Sequence, residues 1–350
     1  MKLLIIGGTG FIGSHIIQEA LKHNYKVTIF NRGLTNNIKY SGIQQIKGDR
    51  NTIKQDGDSH SLVKAINLGQ KWDYIIDCCG YHDTQIAQLL PLIGNSKYVF
   101  LSTCSVYSTD CKSYIDERST LVNQENHLSS TSYQKVLCER AIINYYSTNY
   151  NNYLILRLGL VVGNLDHTDR LGYWIRKSVF NKKLLVPEYV LQPIQFIYVK
   201  DLVRFLFHCI RHNKYGIYNV NGPKKINKKN NYINNISIQE LLATIIRITN
   251  SQVTIKLIPE TTLLKENIKL WSNIPLCLGY RSNSINLMNI DYSKAIKAGL
   301  QHTNLSEVIL ESMDWYLNNI PSGAWLSELR EQQILDKWGH ISADINIKLY

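Results

Sequence analysis

The chain has 350 residues, 44% hydrophobic and 19% charged, which is enough apolar material for a sizeable core and excludes an intrinsically disordered chain. Its formal net charge is +12, but the excess Lys travels with Asn and Ile, as in Asn36–Asn37 and the run from Lys224 to Asn235. That pattern reads as a bias spread over the surface and argues against a nucleic-acid patch.

The first predicted element is a strand at Leu3–Ile6, at the very start of the chain. No apolar leader precedes it, and the longest apolar stretch, Tyr153 to Val162, carries Arg157 and is too short for a bilayer. Seven cysteines (Cys78, Cys79, Cys104, Cys111, Cys138, Cys209 and Cys277) contain no C-x-x-C pair and sit largely in apolar runs. They read as small buried thiols in a reducing compartment, without a zinc constellation. His208 and His212 are four apart, with no acidic or Cys partner near them in sequence. The expectation is a cytoplasmic protein without metal or membrane partner.

Helical spacing follows at Ile12, Ile16, Ala20 and His23, then strands at Lys26–Phe30, Gly42–Gly48, Asp73–Cys79 and Lys97–Thr103. A helix over Thr131–Asn149 and a strand over Asn152–Gly159 come next. Nearly continuous apolar strands between helices predict a parallel sheet buried on both faces: an α/β, Rossmann-type doubly wound fold. Gln195–Val199 and Ile217–Val220 read as later strands returning to that sheet, Asn221–Pro223 as a turn, and Lys224–Asn235 as an exposed loop. Ser237–Glu240 has capping-box form before a helix at Leu241–Ile248. A strand at Gln252–Ile258 and helices at Asn304–Leu317 and Ser327–Trp338 complete the pattern. The domain expectation is 1–165 with 194–222 as the dinucleotide-binding part. A smaller substrate-binding subdomain takes 166–193 with 223–318, and 319–350 forms a helical tail.

The segment GGTGFIGSH, Gly7 to His15, lies between the first strand and the first helix. Gly7 permits the sharp turn, Gly10 lets the backbone approach a pyrophosphate, and Gly13 lets helix and strand pack closely. The pyrophosphate then meets unpaired N–H groups at the helix start, so Gly7, Thr9, Gly10, Phe11, Ile12 and Gly13 are predicted to hold it. The second strand ends Phe30-Asn31-Arg32-Gly33. An NAD-selective site places an acid here for the ribose 2′-hydroxyl. Arg32 suits a 2′-phosphate instead, which favours NADP over NAD; the competing reading is a solvated surface arginine.

These residues, with Gly48–Arg50, LSTCSVY (Leu101–Tyr107), LRLGLVVGNLDHTDR (Leu156–Arg170) and QFIYVKDL (Gln195–Leu202), resemble the extended short-chain dehydrogenase/reductases, the NAD-dependent epimerase/dehydratase superfamily. Lys135–Glu139, Asp166–Arg170 and Leu326–Glu331 resemble an isoflavone-reductase-like bacterial subgroup. The resemblance implies that Asp49 bonds the adenine amino group with Arg50 beside it, and that Cys79 and Gly80 flank the ribose. It implies that Thr103 is the catalytic Ser/Thr, and that Lys135 is the lysine of Tyr-x-x-x-Lys, bonding the nicotinamide ribose.

The tyrosine departs from this pattern. Four before Lys135 stands Thr131; Tyr133 is two before it, about 200° away on a helix. A phenol beside Lys⁺ is tuned toward neutral pH, whereas a threonine hydroxyl is not. Three readings stand open. The chain binds cofactor without conventional hydride chemistry; or Tyr107, Tyr81 or His82 supplies the proton; or a shifted helix start brings Tyr133 into the site. The leading expectation is an NADP(H)-dependent oxidoreductase or epimerase on a small polar molecule such as a sugar nucleotide, with Arg170 holding an anionic group or forming a structural ion pair. A sensor or scaffold and an RNA-binding relative are the alternatives. A homodimer through Thr84–Leu92 and Ser132–Tyr146 competes with ordinary core packing of Val136, Ile142 and Ile143.

Overall fold

The computed structural model describes residues 1–34, 42–109, 115–123, 131–147, 152–226, 233–279, 282–319, 325–340 and 344–345. Two compact units form, one of residues 1–159, 199–221 and 290–301, the other of 160–198, 222–289 and 302–350.

The first unit is built on seven parallel strands: β1 (Lys2–Ile6), β2 (Lys26–Asn31), β3 (Gln44–Lys47), β4 (Tyr74–Asp77), β5 (Lys97–Thr103), β6 (Tyr153–Leu158) and β7 (Gly216–Val220). Their order is β7-β6-β5-β4-β1-β2-β3, and each neighbouring pair runs parallel. Every residue of β4 and β6 is buried, as strands covered on both faces require. At the edge, β3 exposes Gln44, Gln45 and Lys47 and buries Ile46, so polar side chains blunt the open ladder. The connecting helices include α1 (Phe11–Lys22), α2 (Ser61–Asn67), α3 (Asp83–Leu89), α4 (Thr131–Tyr145) and α5 (Val199–Arg211). The strand order reverses between β1 and β4, and beyond the carboxyl ends of strands at such a switch point a crevice opens for a ligand. This is the expected doubly wound α/β architecture.

Three expectations are corrected. Gln195–Val199 does not return to the main sheet: Phe196–Tyr198 pairs with Leu160–Val162 as a separate parallel ribbon in the second unit. The edge of β6 is already occupied by β7, and a buried apolar run carries no information about which edge it joins. Residues 160–165 and 194–198 therefore group with the second unit. Residues 290–301 group with the first, where Asn219 Nδ2 donates to the Asp291 carbonyl (2.8 Å) and Lys294 Nζ to the Ile217 carbonyl (2.6 Å).

Secondly, the polar stretch from Lys224 is not all loop. Lys224–Ile226 and Ile233–Ser237 pair antiparallel, with β-branched Ile226 opposite Ile233; 227–232 lie outside the described residues. Thirdly, the helix Glu328–Trp338, capped by Ser327 and expected within a separate C-terminal helical tail, groups with the second unit. Glu331 is 1% exposed, pairs with Lys177 and accepts from the Leu185 N–H (2.9 Å), so it is stitched into the second unit. The capping box at Ser237 and Glu240 forms as expected. Cys111 lies outside the described residues; the other six cysteines are free thiols, four of them buried. Among the described residues no helix is long and apolar enough to cross a membrane.

Candidate active site

The turn from β1 into α1 is shaped by backbone contact. Gly7 adopts φ +76°, and a Cβ there would stand 2.7 Å from Cys79 Sγ. A Cβ on Gly13 would stand 2.7–2.9 Å from backbone atoms of Gly7 and Gly8, which have no side-chain freedom to yield. Around Gly10 the space for a Cβ is open. Gly10 is also the N-cap of α1 and offers no side-chain acceptor, and the first turn holds no acid. The N–H groups of Phe11, Ile12 and Gly13 thus begin a helix without a side-chain cap, a fit for an anionic diphosphate.

A cavity of about 300 Å³ opens at the carboxyl ends of β1–β4, lined among others by Gly7, Thr9, Arg32, Asp49, Arg50 and Cys79. Its floor is a pair that single-residue reading misses. Arg50 donates from Nη1 and Nη2 to the two carboxylate oxygens of Asp77, both at 2.8 Å. Tyr98 donates its hydroxyl to Asp77 Oδ2, and the Cys79 N–H donates to Oδ1 (3.0 Å). Asp77 is fully buried. Burial pushes its pKa up, but the Arg50 charge and these hydrogen bonds outweigh it and hold the carboxyl below its ordinary value. Arg50 therefore lines the cavity with its charge already answered. A sequence signal existed, an Asp inside an otherwise apolar strand, but nothing local named its partner.

Asp49 accepts from the Asn51 N–H (2.9 Å) through Oδ1 and caps the short turn at Arg50–Thr52. Buried His60 holds that turn from below: its Nδ1 accepts from the Leu62 N–H (3.2 Å), which leaves Nε2 to donate to the Asp49 carbonyl (2.9 Å). Gln85 joins the other wall, accepting from the Tyr81 N–H (2.9 Å) and donating to Asn51 Oδ1 (2.8 Å). Gly80 sits behind the wall, where a Cβ would meet Phe100 and Ile86. At the β2 end, Asn31 Oδ1 accepts from the Gly33 N–H (3.0 Å) and from Gln45 (2.8 Å). Arg32 is exposed and lines the cavity; Asp49 is the acid among the lining residues.

The second cluster sits where β5 ends. Lys135, 6% exposed, donates Nζ to the Leu101 carbonyl (2.8 Å) and lies 4.6 Å from the Phe100 ring centroid and 5.0 Å from that of Tyr81. Burial lowers its pKa. Thr103 Oγ1 lies 3.0 Å from Ser105 Oγ, and Ser132 donates to Ser105 (3.1 Å), a run of three hydroxyls. α4 begins at Thr131, so exposed Thr131 and buried Lys135 are one turn apart in the same helix. Tyr133, within that helix, lies at the opposing angle.

Tyr107 is 1% exposed. Its hydroxyl donates to Asn219 Oδ1 (2.5 Å) and accepts from Arg157 (2.9 Å). Burial raises its pKa. It belongs to the scaffold formed by Glu139 of α4, one turn after Lys135, which accepts from Arg157 (2.7 Å) and Ser102 (2.5 Å). Tyr81 is half exposed, and His82 Nδ1 lies 3.3 Å from Gln134 Oε1.

In the second unit, Asp166 accepts from the Thr168 N–H (2.8 Å) and hydroxyl (2.6 Å) and from the Tyr316 hydroxyl (3.0 Å). Asp169 pairs with Arg176, not with neighbouring Arg170.

A reversed-order parallel sheet with a glycine turn feeding an uncapped helix defines a Rossmann-type α/β protein. More narrowly, a model of the NAD dependent epimerase/dehydratase family matches residues 3–221, and the chain belongs to that family, within the extended short-chain dehydrogenase/reductase superfamily. It is 22% identical over 242 residues to the chloroplast stem-loop binding protein of 41 kDa b of Arabidopsis thaliana, covering 64% of this chain and 60% of that protein. It is 22% identical over 250 residues to dTDP-D-glucose 4,6-dehydratase of Dictyostelium discoideum, covering 63% and 58%. The chain thus spans about three fifths of the length of these relatives. The crystal structure of Bacillus cereus UDP-glucuronic acid 4-epimerase in complex with NAD superposes with a TM-score of 0.63 at 21% identity, covering 91% of this chain and 99% of that one. At that identity the likeness shows the fold.

Proposed function

We propose that the chain is an NADP(H)-dependent oxidoreductase or epimerase acting on a small polar substrate of the sugar-nucleotide kind. The observation that carries this reading is the cavity beside the glycine turn, with Arg32 at the end of β2 and no acid on that strand end. Arg32 would take the 2′-phosphate, Oδ2 of Asp49 the adenine amino group, and the N–H groups of Phe11 to Gly13 the diphosphate. A bound nicotinamide supplies hydride exchange; Lys135 would hold its ribose, and Thr103 would orient a substrate hydroxyl or carbonyl. The activities of the epimerase and dehydratase relatives support the substrate class. Titration with NADPH and NADH, followed by nicotinamide fluorescence, tests the reading. Tighter NADPH binding in wild type, lost in R32A, is expected; equal binding of both nucleotides in wild type removes the NADP assignment, and binding of neither removes the cofactor reading.

A second reading is a cofactor-binding protein without turnover, favoured by Thr131 standing one turn before Lys135. Binding of NADPH with no oxidation across a panel of sugar nucleotides and ketones would select it. The stem-loop binding relative motivates one further arm, a mobility shift of structured RNA that weakens with salt.

A further inference from the structure

His60 is 3% exposed, and both of its ring nitrogens are engaged. Nδ1 accepts from the Leu62 N–H (3.2 Å) and so caps the helix Ser61–Asn67. Nε2 meets the Asp49 carbonyl (2.9 Å). A carbonyl can only accept, so Nε2 carries the proton and Nδ1 keeps its lone pair. Two separate bonds thus demand the same neutral tautomer.

The far side of the second bond is the cavity beside the glycine turn, which Phe30, Gly48, Asp49, Arg50 and Asn51 all line. The Asp49 carbonyl also accepts from the Thr52 N–H and hydroxyl, each at 3.2 Å, so His60 supplies the shortest of three bonds that close this turn. Helix and turn touch directly: a Cβ on Gly48 would stand 2.5 Å from Ser61 Oγ and 3.4 Å from His60 Nε2. The Phe30 ring packs on the imidazole at 71°, with centroids 5.7 Å apart. From Asn51 the bonding runs on to Gln85 and the Tyr81 N–H. An imidazole that moves therefore disturbs the wall that faces the ligand.

A second proton on the ring would set an Nδ1–H against the Leu62 N–H, donor facing donor, and the imidazolium would have to leave the cap. The charged residues on the surrounding segments are Lys47, Asp49, Asp56, Asp58 and Lys64, and none of their side chains bonds the ring. We infer that His60 is a positioning residue for the adenosine end of the cofactor site, and that the site grips its nucleotide fully only while this imidazole is neutral. This role rests on the cofactor reading above, but neither on NADP over NAD nor on any hydride chemistry.

ADP-ribose is the probe, because it carries the adenosine and the diphosphate but no phosphate monoester that titrates near neutrality. Its binding to the full chain is followed by calorimetry from about pH 8 to about pH 5.5, the span in which imidazole ordinarily titrates. Wild type should weaken about fivefold across that span, the worth of one hydrogen bond. By reciprocal linkage it should also release protons on binding near about pH 6.5. H60N keeps an acceptor for the Leu62 N–H but is too short to reach Asp49. It should bind about fivefold more weakly at about pH 8, with no further loss on acidification and no proton release. His82, beside Gln134 on the other wall, is the control: H82N preserves a helix cap and should retain the wild-type slope. A flat wild-type profile, a slope that survives in H60N, a slope lost in H82N, or H60N affinity equal to wild type would each overturn the role. Binding with a flat profile removes this role alone, whereas no ADP-ribose binding at any pH removes the cofactor reading with it.

Discussion

At the Gly7–Gly13 turn the groups offered to a ligand are backbone N–H groups, set by a positive φ and by contacts too close for a side chain. At the start of α4 they are side chains: a buried ammonium and three hydroxyls. The two regions tolerate change differently. Grip on a diphosphate is spread over main-chain atoms that any sequence keeping the glycines preserves. Proton transfer depends on one group of the right acidity at one position, and one turn before Lys135 stands Thr131, an aliphatic hydroxyl.

The comparison is open to direct attack. The largest effect is expected where the lysine helix α4 meets β6, at Glu139 and Arg157, which are 1% and 3% exposed. E139A leaves Arg157 buried without its partner and should cost about 3–5 kcal/mol in urea unfolding. A smaller loss would mean that the lysine end is less firmly anchored than its hydrogen bonds suggest. At the glycine turn, G13V pushes a side chain into the Gly7–Gly8 backbone. It should cost about 1–3 kcal/mol and abolish NADPH-dependent thermal stabilisation; retained stabilisation would remove the turn from the cofactor site.

T131Y places a phenol one turn before Lys135, on an exposed position that has room for it. NADPH oxidation with a responsive sugar nucleotide should rise by about a hundredfold, the low end for a positioned general acid. No gain would show that the hydroxyl at 131 is not what limits the reaction. R32A should weaken NADPH about tenfold and leave NADH nearly unchanged, sharpening the nucleotide end into a specific phosphate contact. The smallest effect is expected for Y133F, with turnover within about twofold of wild type because residue 133 sits some 200° from Lys135; a large loss would restore Tyr133 as the proton donor.

Much of the first unit is legible locally. The β-branched runs at Leu3–Ile6, Lys26–Phe30 and Lys97–Thr103 lie on β1, β2 and β5, because burial on both faces demands continuous apolar residues. The glycine turn is legible because its conformation is a property of the residues within it. Thr131 and Lys135 stand one turn apart in α4, as their spacing in the sequence implies.

What the chain determined by itself is therefore whatever depends on neighbours along it: strand periodicity, the turn, the helix frame and Arg32 at a strand end. Tertiary structure alone decided the pairings. Arg50 meets Asp77 across 27 residues and Arg157 meets Glu139 across 18; β7 joins the main sheet beside β6, whereas Phe196–Tyr198, expected to return to the same sheet, pairs with Leu160–Val162; and Asp169 pairs with Arg176, not with neighbouring Arg170. Backbone preference acts over a few residues, whereas a charge finds or misses its partner only after distant segments have been packed together and water has been driven from between them.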